Sequence, residues 1–221
     1  DDPMYLGWRH ERLSGKQYIN FIDVFVNMAK KKFPHALLHW EDFGRDNAAL
    51  VLDRHQKTMC TFNDDIQGTA VVTLAALLAA LKTTQQDWTT QRIVIFGAGT
   101  AGTGIAQQIT KVMQYAGLTK QEAHNKIWLL DKQGLLTTIT SELTPAQQPF
   151  ARVPQDFANW QLNNQKFISL AEVVKNLAPT ILIGCSTQSG AFTEEIIRTM
   201  ARLNPQPIIF PLSNPTEKCE A

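Results

Sequence analysis

An apolar strand that runs directly into a glycine-rich turn limits the possible folds of this chain more than any other feature. The strand is predicted over residues 92–96, and the turn that follows reads Gly97-Ala-Gly-Thr-Ala-Gly102. A helix is predicted from Gly102 to Tyr115. This order is typical of the first unit of a dinucleotide-binding fold, where a pyrophosphate lies at the positive N-terminus of the helix. The alternative is an ordinary tight connection between a strand and a helix.

The three glycines of this turn are expected to meet different requirements. Gly97 permits the tight turn, and Gly99 lets the backbone approach a pyrophosphate closely. Gly102 lets the helix pack against the strand. We therefore predict a dinucleotide site at the carboxyl end of this strand.

An acid that binds a ribose is predicted at the end of the next strand. That strand covers Lys126 to Asp131, and a short helix from Thr119 to Asn125 lengthens its distance from the glycines. An aspartate in this position accepts hydrogen bonds from ribose hydroxyls and repels a 2′-phosphate, so Asp131 favours NAD over NADP. Lys132 is the counter-argument, because a lysine there could bind that phosphate.

Two pairs of neighbouring carboxylates each follow a short apolar strand nearer the start of the chain. The pairs are Glu41–Asp42 and Asp64–Asp65, and Asp46 is expected to cap the helix after the first pair. Alternating helices and strands predict parallel layering, with the strand ends at one edge. Carboxylate oxygens at such an edge are the ligands that a hard divalent cation prefers. The alternative is that both pairs are exposed turn residues or helix caps.

The pattern of elements predicts an α/β protein in two parts. Residues 1–63 form part of one α/β domain, and residues 64–221 form a Rossmann-type, doubly wound parallel sheet. The helix predicted from Thr69 to Lys82 is apolar on nearly every face and is expected to be buried. The segment 137–164 contains three prolines and no clear periodicity, so we expect a long surface excursion.

Charge and composition argue against several classes of protein. The 221 residues carry a formal net charge of +1, without a run of like charges that would indicate binding to nucleic acid or to an anionic membrane. The longest apolar segment, Ala70 to Leu81, is too short to span a bilayer. The three cysteines lack metal-binding spacing, and we expect a reduced, cytoplasmic setting.

Four motifs occur in one order along the chain and carry a family resemblance. They are Trp40-Glu-Asp-Phe43, Thr61-Phe-Asn-Asp-Asp-Ile-Gln-Gly-Thr-Ala70, Gly97-Ala-Gly-Thr-Ala-Gly102 and Leu212-Ser-Asn-Pro-Thr216. Together they closely resemble the NAD(P)-dependent malic enzymes and their relatives, the malolactic enzymes. The resemblance begins at Met4-Tyr-Leu-Gly7 and runs to the last residues.

The resemblance implies a role for each matching residue. Asp64 matches a residue that assists the general base, and Asn214 matches one that contacts the substrate and the nicotinamide ribose. The residues that match ligands of Mg²⁺ or Mn²⁺ are Glu41, Asp42 and Asp65. The residues that match the cofactor site are Gly97, Ala98, Gly99 and Thr100 in the pyrophosphate turn, Gly102 in its helix, and Asp131 at the adenosine ribose.

The activity implied by the resemblance is NAD-dependent oxidation of malate to oxaloacetate, followed by decarboxylation to pyruvate. Two alternatives stay open: a malolactic enzyme, which converts malate to lactate with bound NAD, and a non-catalytic dinucleotide-binding module. The chain resembles the middle of these longer proteins. The family's catalytic tyrosine and lysine and its malate-binding arginine are expected upstream, so the chain alone is expected to be inactive. We expect the full-length protein to be a cytoplasmic homo-oligomer, either a dimer or a tetramer.

Overall fold

The chain divides into two compact units, Asp1–Asn63 and Asp64–Ala221. The computed structural model describes residues 3–7, 9–164 and 167–221, and at positions 45 and 46 it describes the backbone alone. Each unit has an apolar core formed from its own residues.

The first unit combines two helices with a two-stranded parallel sheet. Its elements in chain order are α1 (Gly15–Lys32), β1 (Leu38–Trp40), α2 (Arg45–His55) and β2 (Thr61–Asn63). Trp40 pairs with Asn63 at the last position of both strands, so the chain leaves them at the same edge. Buried apolar side chains from α1, β1 and α2 form the core, namely Ile22, Val26, Trp40 and Val51.

Helix α2 begins earlier than the sequence indicates, and its C-terminal turn is bound to α1 by an ion pair between Arg54 and Asp23. It starts at Arg45 with Gly44 as its N-cap, so the predicted capping residue Asp46 lies within the helix. The Asp46 side chain lies outside the described residues. Asp23 accepts two hydrogen bonds of 2.6 Å from the Arg54 guanidinium, and this pairing lowers the pKa of Asp23.

The second unit is built on a five-stranded sheet in the order β5-β4-β3-β6-β7. The strands are β3 (Ile93–Phe96), β4 (Ile127–Asp131), β5 (Gly134–Leu135), β6 (Ile181–Gly184) and β7 (Ile208–Pro211). All neighbours are parallel except β5, a short edge strand that runs antiparallel to β4 and that the sequence does not indicate. The chain adds β4 on one side of β3 and later adds β6 and β7 on the other, so the strand order reverses between β3 and β6.

Helices cover both faces of this sheet. They are α3 (Thr69–Thr84), α4 (Thr100–Tyr115), α5 (Lys120–Lys126), α6 (Leu170–Leu177) and α7 (Glu194–Leu203). Ile93 and Ile95 of β3 pack with α3, α4 and α5, whereas Val94 and Phe96 pack with α6 and α7. Burial on both faces explains why β3 is an uninterrupted apolar run. The predicted Rossmann-type α/β fold is confirmed.

Helix α3 is not buried on every side, contrary to the expectation from the sequence. Its inward face is buried, but Val71 and Val72 are 55% and 71% exposed. The helix continues directly from a π-helical turn, Asp64–Gly68. By length and composition alone, the combined segment Asp64–Thr84 could cross a membrane. Because the inward face packs into the core beside the sheet, we interpret the segment as a core helix with one exposed apolar face.

The segment 137–164 is not a surface excursion, so that prediction was wrong. Phe150 is buried against one face of the sheet, and Phe157 is buried against the other. These side chains lie in short 3₁₀ turns, Gln148–Phe150 and Pro154–Phe157. Single anchoring residues in irregular turns produce no periodic pattern, which is why the sequence did not indicate their burial.

Candidate functional site

The carboxyl ends of four parallel strands lie along one edge of the sheet in the second unit. The backbone N–H of Gly97 donates to the carbonyl of Leu130 at 2.8 Å, and that of Cys185 donates to the carbonyl of Phe96 at 2.8 Å. These bonds align the exits of β3, β4 and β6, and β7 continues the row beside β6. The order of strands reverses here, and open α/β sheets bind ligands in the crevice at such an edge.

The turn after β3 accepts only glycine at two of its positions. Gly97 has a φ of +109°, in the left-handed region that side chains disfavour. A Cβ atom at Gly97 would also overlap the backbone of Cys185. A Cβ atom at Gly102 would overlap the carbonyl oxygen of Gly97, because the first turn of α4 lies so close to the end of β3. The fold itself therefore requires both residues.

Gly99 differs from these two glycines. Its φ is −77°, and a Cβ atom there would meet no other atom within 4 Å. Gly99 is the N-cap of α4, and no side chain in the described part of the chain caps this helix end. The positive end of the α4 dipole is therefore uncapped, and the space beside Gly99 is open. A phosphate group would be stabilised in that position.

Two side chains bind the carbonyl groups of the turn from the protein interior. The Cys185 thiol donates to the carbonyl of Gly97 at 3.2 Å, and the Gln147 amide donates to the carbonyl of Ala98 at 2.8 Å. Burial raises the pKa of Cys185 to about 12, and nearby carboxylates add to this effect. The thiol therefore keeps its proton at neutral pH and can act as a donor.

Asp131 ends β4 beside the glycine turn. Leu130 pairs with Phe96 in the parallel register, so Asp131 and Gly97 follow at matching positions on neighbouring strands. Asp131 is half-buried, and one carboxylate oxygen accepts the N–H of Lys132 at 2.9 Å. An acid at this position can accept hydrogen bonds from a ribose whose pyrophosphate lies at the turn.

A buried carboxylate joins the exits of β6 and β7. Glu220 accepts the N–H of Ser186 at 2.7 Å, the Ser186 hydroxyl at 2.8 Å and the Ser213 hydroxyl at 2.6 Å. Burial by itself would raise the pKa of Glu220, but the hydrogen bonds from Ser213 and Ser186 outweigh burial and lower it. Ser213 directly precedes the exposed Asn214, so Glu220 fixes the backbone beside the predicted substrate-binding residue.

The predicted metal ligands and the assisting acid are divided between the two units. Glu41 and Asp42 are exposed after β1 in the first unit, and Asp42 has a φ of +58°. Asp64 and Asp65 are half-buried in the π-helical turn that begins the second unit. Their oxygens suit Mg²⁺ or Mn²⁺. Within either unit, the described residues include no group of three His, Cys, Asp or Glu that could hold a metal ion.

Three residues of this edge are absent from the sequence-based predictions: Gln147, Cys185 and Glu220. They bind atoms that lie 49, 88 and 34 residues away along the chain, so no local pattern connects them. One signal was available in the polar run Cys185-Ser-Thr-Gln-Ser-Gly190. Polar residues directly after a buried parallel strand indicate the ligand-binding edge of a sheet.

Comparison with known protein families gives matches along nearly the whole chain. Residues 66–221 match the family described as malic enzyme, NAD binding domain. Residues 1–56 match the family described as malic enzyme, N-terminal domain.

Similar proteins include both malolactic and malic enzymes. The chain is 51% identical over 220 residues to a malolactic enzyme of Leuconostoc mesenteroides, and 48% identical over 222 residues to NAD-dependent malic enzyme 3 of Bacillus subtilis. These matches cover 100% of the chain but 40% and 39% of the relatives. Among solved structures, an NAD-dependent malic enzyme from Thermotoga maritima matches with a TM-score of 0.70 and 26% identity, covering 93% of this chain and 49% of that one.

Proposed function

Because this chain belongs to the malic enzyme family, we propose that the protein oxidises malate with NAD as the hydride acceptor and releases pyruvate and CO₂. The observation that carries the proposal is the glycine turn after β3, where Gly99 and the uncapped end of α4 lie beside open space. Relatives that match the whole chain at 45–48% identity are named NAD-dependent malic enzymes, which supports the same assignment.

The cofactor is NAD, held along the carboxyl edge of the second unit's sheet. The N–H groups at the start of α4 bind the pyrophosphate, and Gly102 keeps that helix close to β3. Asp131 accepts hydrogen bonds from the adenosine ribose, and its charge disfavours the 2′-phosphate of NADP. Residues of the turn that contact the pyrophosphate are Gly97, Ala98, Gly99 and Thr100.

A divalent cation, Mg²⁺ or Mn²⁺, is held by Glu41, Asp42 and Asp65. The support is the oxygen chemistry of these side chains and their match to the family's metal ligands. The cation supplies polarisation of the substrate carbonyl and stabilises the negative charge that develops on loss of CO₂. Asp64 assists the general base, and Asn214 contacts the substrate and the nicotinamide ribose.

A second candidate function is the malolactic reaction. Two malolactic enzymes, from Leuconostoc mesenteroides and Lactiplantibacillus plantarum, are each 51% identical to the chain, slightly above the malic enzymes named here. Both reactions begin with hydride transfer from malate to NAD. They differ in whether the hydride returns to the product.

Product analysis of the full-length protein tests both candidates. With malate, NAD and Mn²⁺, the malic reaction yields pyruvate and NADH in equal amounts. The malolactic reaction yields lactate without net NADH. Binding of NADH without turnover of malate would contradict both and would indicate a non-catalytic dinucleotide-binding module.

We also propose that the full-length protein is a cytoplasmic homo-oligomer, a dimer or a tetramer. Cys60, Cys185 and Cys219 are free thiols, which suits a reducing compartment. Light scattering of the purified full-length protein tests the oligomer, and a monomer would contradict it. Fractionation of cells tests the location, and recovery outside the cytoplasmic fraction would contradict it.

A further inference from the structure

The segment between β5 and α6 sends a buried amide to the glycine turn. Gln147 is 2% exposed, and its side-chain N–H donates to the carbonyl of Ala98 at 2.8 Å. Its side-chain oxygen accepts the backbone N–H of Thr144 at 2.9 Å, so the amide is held at both ends. Phe150, in the turn that follows, is buried in the core and anchors this part of the segment.

This hydrogen bond sets the direction of a peptide group that faces the cofactor site. In a trans peptide, the carbonyl of one residue and the N–H of the next point in opposite directions. With the Ala98 carbonyl held toward Gln147 in the interior, the N–H of Gly99 points the other way. That is the side on which the turn offers a pyrophosphate its donors.

The bond from Cys185 has the same effect one residue earlier. Its thiol binds the carbonyl of Gly97, so the N–H of Ala98 also points away from the interior. A thiol is a weak donor, whereas the Gln147 amide makes a short and fully buried bond. Gln147 is therefore the stronger of the two restraints on the turn.

We propose that Gln147 is a positioning residue for dinucleotide binding: it holds the Ala98–Gly99 peptide with its N–H directed at the cofactor pyrophosphate. The proposal rests on the proposed use of this turn for NAD. Without the Gln147 amide, the peptide can rotate and present its carbonyl oxygen, which repels a phosphate. The loss of cofactor affinity would then be larger than a loss of folding stability alone can explain.

Gln91 provides a matched control. It is 1% exposed, and its amide donates to the carbonyl of Asp87 at 2.7 Å, before the amino end of β3. Gln91→Met and Gln147→Met each remove one buried amide bonded to a backbone carbonyl. Both are expected to lower the midpoint of thermal unfolding of the 221-residue chain. Only Gln147→Met is expected to weaken NADH binding in a fluorescence titration, on the order of tenfold for the loss of an oriented hydrogen-bond donor.

A second measurement keeps the inference separate from the proposed function. Hydrogen exchange of the Gly99 amide in the ligand-free chain is expected to slow in Gln147→Met, because the rotated peptide turns its N–H toward the interior, and to stay unchanged in Gln91→Met. If wild type fails to bind NADH, the proposed function is wrong, while slower exchange of the Gly99 amide in Gln147→Met would still support the restraint on the peptide. Unchanged exchange, or equal weakening of NADH binding by both variants, would overturn the inference.

A more conservative variant covers the case in which Gln147→Met fails to fold. Gln147→Glu keeps the side-chain shape and the acceptor for the N–H of Thr144, but in its ionised form it places a carboxylate oxygen against the Ala98 carbonyl. The same loss of NADH affinity, with slower exchange at Gly99 than in wild type, is expected at alkaline pH, where the carboxyl group is ionised. Wild-type affinity in this variant at alkaline pH would contradict the positioning role.

Discussion

At the scale of single residues, the glycines after β3 meet two different requirements. Gly97 and Gly102 are required by the fold, because a side chain at either position would overlap neighbouring backbone. Gly99 has an ordinary φ and free space, so only a ligand would require glycine there. The sequence predicts this turn well because the strand, the glycines and the helix are contiguous. It could not predict Gln147, since its partner Ala98 lies 49 residues away.

Alanine substitutions should separate the two requirements. Gly99→Ala is expected to change the free energy of unfolding by less than about 1 kcal/mol, because alanine restricts the unfolded chain but is a poorer helix N-cap than glycine. The new methyl group occupies the approach to the turn, so NADH affinity should fall by about tenfold or more, or about 1.4 kcal/mol. Urea unfolding and a fluorescence titration with NADH measure the two effects.

Gly102→Ala serves as the opposite case. Its methyl group would overlap the Gly97 carbonyl, so the helix must move, at a cost of about 1–3 kcal/mol in stability. Equal stability of Gly102→Ala and wild type would show that α4 does not approach β3 as closely as described. Wild-type NADH affinity in Gly99→Ala would argue against a pyrophosphate at the turn.

We propose that the preference for NAD depends on Asp131. Removing a hydrogen bond to a charged group costs about 1.5–3 kcal/mol, so Asp131→Ser should weaken NAD binding by roughly one to two orders of magnitude. NADP binding should change less, which would narrow the discrimination between the two cofactors. Calorimetric titrations of wild type and variant with both cofactors measure this. Equal or tighter binding of NADP by wild type would mean that Lys132 determines the preference instead.

At the scale of elements, regular patterns were predicted and irregular anchors were not. The sequence indicates α6 at Leu170–Leu177 because its apolar residues recur with helical spacing. It does not indicate β5, whose two residues are too few to show an alternating pattern. It overstates the burial of α3, since an apolar face does not reveal whether another element covers it. Tertiary contacts, rather than local propensity, decide these cases.

The segments that follow β6 and β7 are joined by hydrogen bonds to the buried Glu220 carboxylate. Glu220→Gln weakens the hydrogen bonds from Ser186 and Ser213, and the free energy of unfolding at neutral pH should fall by roughly 1–3 kcal/mol. The folded state lowers the pKa of Glu220, so its stabilisation is present above the unfolded value of about 4.3. This stabilisation is lost as the pH falls through the lower pKa that Glu220 has in the folded state.

Urea unfolding of wild type and Glu220→Gln across this pH range measures the effect. The difference in free energy of unfolding between wild type and Glu220→Gln should be largest near neutral pH and should shrink in acid. Glu194→Gln is the control, because that exposed carboxylate pairs only with Arg198 at the surface and its loss should cost less than about 1 kcal/mol. A difference between wild type and Glu220→Gln that grows in acid would contradict the assigned charge state.

At the scale of the whole molecule, the chain spans about 40% of the length of the curated relatives it matches and contains two compact units. The parts of the proposed dinucleotide site all belong to a single unit, and the strand, the glycine turn and the helix are contiguous in the sequence. Of the proposed metal ligands, Glu41 and Asp42 belong to one unit and Asp65 to the other. Local patterns identify carboxylates as oxygen donors, but they do not determine which carboxylates come together.

The metal assignment can be tested on the full-length protein. Removing one of three carboxylates leaves the cation with fewer ligands and less neutralised charge. Asp65→Ala is therefore expected to weaken Mn²⁺ binding in calorimetry by about tenfold or more and to reduce turnover at limiting Mn²⁺. Asp53→Ala, at an exposed acid of α2, should bind Mn²⁺ as wild type does. Unchanged Mn²⁺ affinity in Asp65→Ala would remove this residue from the ligand set.

A calorimetric titration of the 221-residue chain with NADH tests directly whether the second unit contains a dinucleotide site at the turn between β3 and α4. We expect saturable binding of one NADH per chain, because β3, the glycine turn, α4 and Asp131 all belong to this unit. Absence of any binding heat for a folded chain, even at millimolar NADH, would contradict it.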